Sequence, residues 1–76
     1  MVITKESVLQ LSNMEVAQML GTLWCMLNAP EAQSFIKNVS ELEEGYGIIK
    51  DENIKRFGIK EVTNTVSDLQ YQLLSR

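Results

Sequence analysis

From Val16 to Leu27 the chain reads VAQMLGTLWCML, a stretch with no charged side chain. On a helical wheel Met26, Met19, Leu23, Val16, Leu27, Leu20, Trp24 and Ala17 fall in one continuous arc of about half the circumference. Glu15, Thr22, Gln18, Cys25, Met14, Gly21 and Asn28 occupy the rest. A helix apolar over so much of its surface belongs inside a fold. Ser12 and Glu15 precede the run with the spacing of a capping box, in which each side chain serves the other residue's backbone N–H. The pattern predicts a central apolar helix at about 12–28.

The remaining elements follow from the same pattern. Residues 4–11, TKESVLQL, predict a short helix with Thr4 as N-cap and Val8 and Leu11 inward. Pro30 suits the first position of a helix running from 30 to 44, with Ala32, Phe35, Ile36, Val39 and Leu42 on one face. Gly45 is placed as the left-handed residue that ends it, and the acidic pair Glu43–Glu44 opposes the helix dipole there. Gly45-Tyr46-Gly47 then reads as a turn and Ile48-Ile49-Lys50 as a short extended piece. Asp51 caps a one- to two-turn helix through Phe57, which Gly58 ends, and a last helix begins at Ile59 and reaches about Ser75. The fold expected is all-α: a compact bundle of four to five short helices around helix 12–28, a single domain over residues 1–76.

Two stripes are candidates for contact with another chain. Ala17, Gly21 and Cys25 recur every fourth residue, a row of small side chains that admits a second backbone closely. Gly21 lowers helix stability by about 1 kcal/mol relative to alanine, so a packing return is expected, although such a row also borders many ordinary cores. In the last helix Ile59, Val62, Val66, Leu69 and Leu73 alternate in steps of three and four, the seam of a coiled coil. The seam spans only two heptads, so packing within the domain competes with pairing between chains. Tyr71 points away from it, is expected on the surface, and counts with Ala17, Gly21, Cys25, Val62, Val66, Leu69 and Leu73 among the candidate interface residues.

Composition narrows the chemistry. The chain has 76 residues, a formal charge of −3, one cysteine and no histidine. An internal disulfide is impossible. A zinc site, which needs about four mostly Cys and His ligands, is not expected. A domain this small buries only about 60% of its unfolded surface, so in the absence of those staples an efficient helical core or a partner subunit must supply stability. Without histidine there is no Ser–His or Cys–His nucleophile pair. Cys25 sits mid-helix with no basic residue one turn away to activate it. Phosphate-binding glycine loops are absent, and Glu41, Glu43 and Glu44 lack the spacing of a calcium loop. No enzyme activity, cofactor or metal is expected.

Nucleic acid is the alternative partner. Residues 51–75 have the outline of a helix-turn-helix, with Lys55, Arg56 and Lys60 around Gly58. The apolar register disagrees, because Asn64 and Ser67 fall where that motif buries apolar residues. The acidic balance also disfavours a phosphate backbone. The uncharged run is shorter than the roughly 20 residues that cross a membrane. MVITKESVLQ has no basic segment followed by an apolar one, and the lone cysteine suits a reducing compartment, so the cytoplasm is the default location. The expected function is a small protein–protein interaction module (a regulator, inhibitor or accessory subunit) that associates with itself as a homodimer or with a larger protein. The alternative is a small DNA-binding regulator using 51–75.

Overall fold

The segment after Ser12 folds as its pattern predicts. The Ser12 N–H donates to Glu15 Oε1 at 2.9 Å, and the Glu15 N–H donates to Ser12 Oγ at 3.1 Å, so the capping box is closed in both directions. The structure, a computed structural model, describes residues 3–28 and 39–75. Over these residues the order is α1 (Lys5–Leu9), α2 (Asn13–Asn28), α3 (Val39–Phe57) and α4 (Ile59–Leu74). No strand occurs among the described residues, and the fold is an all-α bundle. The predicted start of a helix at Pro30, with Ala32, Phe35 and Ile36, lies outside them.

Among the described residues the core draws on all four helices. Val8 of α1, Val16, Leu20, Leu23 and Trp24 of α2, Ile49 of α3 and Val62 of α4 are buried. Ile3, Leu11, Met19, Leu42, Tyr46, Ile48 and Ile54 pack around this cluster. Val16, Leu20, Leu23 and Trp24 of the predicted apolar arc of α2 face inward, Met19 and Leu27 are half-buried, and Met26 and Ala17 at the arc's two borders are exposed. α2 packs against both α3 and α4, and α1 packs on α3. Thr4 caps α1 through its hydroxyl, which accepts from the Ser7 N–H at 3.1 Å.

The middle of the chain departs from the expectation. There is no turn at Gly45-Tyr46-Gly47, no extended piece at 48–50 and no separate helix from Asp51: one helix, α3, runs through all of them. Along one inward line of α3 stand Leu42, Gly45, Ile49, Asn53 and Arg56, spaced by three and four, with Tyr46, Ile48 and Ile54 packing beside it. Three of these five are not apolar, which hides the stripe from a hydrophobicity pattern. Each has its own reason to face inward. A side chain at Gly45 would bring Cβ within 3.0 Å of Ile3 Cδ1, so glycine there gives the N-terminal segment its seat. Asn53 is buried and fully engaged through Nδ2, donating to the carbonyls of Ile49 at 2.8 Å and Val16 at 3.1 Å. Arg56 is half-buried and bonds to the α1–α2 corner. Glu43 and Glu44 thus stand on the exposed face in mid-helix, not at a frayed end.

Gly58 does break the chain as expected. Its φ of 92° lies in the left-handed region that favours glycine, and α4 begins at the next residue. Of the predicted α4 seam, Val62 is buried and Val66, Leu69 and Leu73 are half-buried. Ile59 departs from the seam: placed directly after the break, it is 68% exposed. Tyr71 is on the surface.

Candidate interaction surface

The small-residue row of α2 stands at the edge of the core. Ala17 is exposed, and Gly21 and Cys25 are half-buried. A Cβ built on Gly21 meets nothing within 4 Å among the described residues. Met14, one turn before Ala17 on the same side, is 71% exposed. The only charge on α2, Glu15, lies on the polar arc about a quarter turn from Met14 and Cys25 and farthest from Ala17. Among the described residues this flank is consequently low in profile, with Ala17 and Met14 exposed and Gly21 and Cys25 half-buried.

A shallow groove of about 140 Å³ adjoins it, between α2, the end of α3 and the start of α4. Ala17 and Leu20 form one wall, Asn53 and Phe57 a second, and Glu61, Val62 and Thr65 the third. The structure thereby brings together Ala17 and Val62, which come from the two separate stripes of the sequence. Val66, Leu69 and Leu73 continue along α4 beyond the groove. Tyr71 lies on another side of that helix and does not line the groove. Phe57 and Met14 belong to this surface and are passed over by the pattern. Phe57 precedes the glycine break, and Met14 falls on the weakly polar arc of the wheel, so neither has an apolar periodicity to announce it.

The basic trio separates. Lys55 and Lys60 are exposed, whereas Arg56 turns inward. Its Nη1 donates to the Leu11 carbonyl at 2.7 Å and to Asn13 Oδ1 at 3.2 Å, and its Nη2 donates to the Val8 carbonyl at 3.3 Å. Nε donates to Glu52 at 2.8 Å. This guanidinium serves the carbonyls left open where α1 ends. Only Gly58 separates α3 from α4, in place of the three- or four-residue turn of a helix-turn-helix.

A larger groove, of about 390 Å³, runs between α1 and α3. Val8, Leu9, Ile48 and Ile54 give it apolar walls, with Lys5, Asp51, Glu52 and Lys55 around them. Among the described residues, Glu15 and Tyr46 depart from their ordinary behaviour. The Ser12 backbone N–H, and then its hydroxyl, hold the Glu15 carboxyl below the usual glutamate range. Burial pushes the Tyr46 phenol up. Both effects belong to the scaffold. Among the described residues no group of three or more His, Cys, Asp or Glu side chains could hold a metal ion, and no helix is long and apolar enough to cross a membrane. Comparison with protein-family models, curated proteins and solved structures finds no match to this chain.

Proposed function

We propose that the protein is a non-enzymatic interaction module that pairs with a second copy of itself through the open flank of α2. The observation that carries this reading is Gly21. It sits inside a helix, where glycine is about 1 kcal/mol worse than alanine. Nothing among the described residues approaches the space its missing side chain leaves. The close approach that glycine permits is unused by those residues and is available to another chain. The flank has the right company for that use: Ala17 and Cys25 keep the row small, Met14 and Phe57 supply exposed apolar area, and no α2 charge needs water on that side.

Association would also supply what so short a chain lacks, since it has neither a disulfide nor a zinc ligand set. The face beyond the groove, Val66, Leu69 and Leu73, is half-buried and extends the surface along α4. Light scattering coupled to gel filtration tests the reading. A mass of twice 8.6 kDa at micromolar concentration, falling to 8.6 kDa on dilution, is expected. A single 8.6 kDa species throughout that range contradicts it.

A further inference from the structure

We propose that residues 3–12 are a releasable strap, fastened to α3 by Arg56 and Gly45, that opens while the body formed by α2, α3 and α4 stays folded. This inference does not rest on self-association.

The strap has little stability of its own. α1 is five residues long, far below the about 12–15 residues at which an isolated helix becomes even marginal. Its local hydrogen bonds, the Thr4–Ser7 cap among them, are exposed to water. Docking therefore depends on α3, and the attachment is concentrated in a few places. Ile3 rests on the bare backbone of Gly45. Val8 inserts into the core cluster. One guanidinium, that of Arg56, collects the carbonyls of Val8 and Leu11 together with Asn13 Oδ1, 43 to 48 residues away in the chain.

The body is fastened separately. Asn53 joins α3 to the Val16 carbonyl of α2, and Leu20, Leu23 and Ile49 close the apolar layer around it. Neither the Asn53 bonds nor these apolar side chains belong to residues 3–12. The seam between strap and α3 is also the less tightly closed one. The open groove of about 390 Å³ lies along it, and Leu9 at its edge is 63% exposed. A helix too short to stand alone, water-accessible hydrogen bonds and an open groove along the seam are the marks of a segment that opens locally. The Gly45 face of α3 is then uncovered only in the open form.

Native-state hydrogen exchange on the full chain tests this. The amides of Val8, Gln10 and Leu11 are bonded to Thr4, Ser7 and Val8 carbonyls, so they report strap opening directly. In the wild type they are expected to exchange at least about tenfold faster than those of Leu20, Leu23 and Ile49, with little dependence on denaturant. Arg56→Gln should speed them by about a further tenfold and leave the body amides unchanged. Gly45→Leu, which fills the seat of Ile3 without touching Arg56, should do the same. The proposal is overturned if strap and body amides share one rate and one denaturant dependence in the wild type, and this comparison decides even where a variant unfolds. It is equally overturned if folded Arg56→Gln and Gly45→Leu leave the strap amides unaltered.

Discussion

Asn53 donates from Nδ2 to the carbonyl of Val16, 37 residues earlier in the chain, at 3.1 Å, and both residues are buried. This is the polar fastener between α2 and α3. The same amide donates to the Ile49 carbonyl at 2.8 Å, so its two donors are committed, one to each helix. A buried polar side chain is costly unless it is satisfied, and here the satisfied one also fixes the register of two helices.

Substitutions at position 53 should rank by what they put against those carbonyls. Asn53→Leu keeps the volume and loses the donors, at about 1–2 kcal/mol. Asn53→Asp turns a carboxylate toward two carbonyl oxygens in the core and should cost about 3 kcal/mol or more at neutral pH. Denaturant titration of the two variants beside the wild type measures the order. Equal stability of the aspartate variant and the wild type would contradict a buried, donating Asn53.

The capping box makes a pH-dependent contribution with a defined sign. The folded state holds the Glu15 carboxyl below its ordinary pKa, chiefly through the Ser12 N–H. The stabilisation is therefore complete above the unfolded-state pKa and is lost as pH falls through the lowered folded-state value. Between about pH 5 and pH 3 the melting temperature of Glu15→Gln should fall less steeply than that of the wild type. Parallel melting curves across that range would remove Glu15 from the acid response.

Two glycines of α3 should respond oppositely to the same change. Gly47 is exposed in mid-helix, with nothing among the described residues within 4 Å of an added Cβ. Gly47→Ala should stabilise by about 0.5–1 kcal/mol. At Gly45 the same methyl group meets Ile3 Cδ1 at 3.0 Å, and Ile3 must shift to admit it. Gly45→Ala should forfeit most or all of the helical gain. Thermal melts of the pair check this, and an equal gain at both positions would show that Ile3 is not held against Gly45.

At the start of α4 the seam should have one working member and one silent one. Val62 is 2% exposed and Ile59 is 68% exposed. Val62→Ala should cost about 2 kcal/mol, and Ile59→Ala about 0.5 kcal/mol or less. Urea unfolding separates them.

These particulars show where the sequence is legible. α2 carries its own evidence: an uncharged apolar arc, a capping box and no inward polar residue. α4 is announced by its three-four spacing and by Gly58. The largest departure, the continuation of α3 through Gly45, has a physical cause. Glycine is a stop signal in most helical patterns because it tolerates left-handed backbone, yet at 45 it serves the other property of glycine, its lack of a side chain. Asn53 and Arg56 mislead for a related reason. Their inward role depends on carbonyls of α1, α2 and the corner between them, and no local window contains both ends of such a bond. The candidate surface is legible in the same measure. The row Ala17, Gly21, Cys25 is visible as spacing, but Phe57 and Met14 join it only through the packing of three helices.

The central claim is that Gly21 is small for the sake of a second copy, and sedimentation equilibrium of wild type beside Gly21→Gln tests it most directly. Glutamine favours the helix more than glycine does and is at ease in water, so the variant should fold at least as stably by thermal melt. The account predicts twice 8.6 kDa for the wild type at micromolar concentration and 8.6 kDa for the variant. A variant that is folded and as fully associated as the wild type, or a wild type that stays at 8.6 kDa, would contradict it.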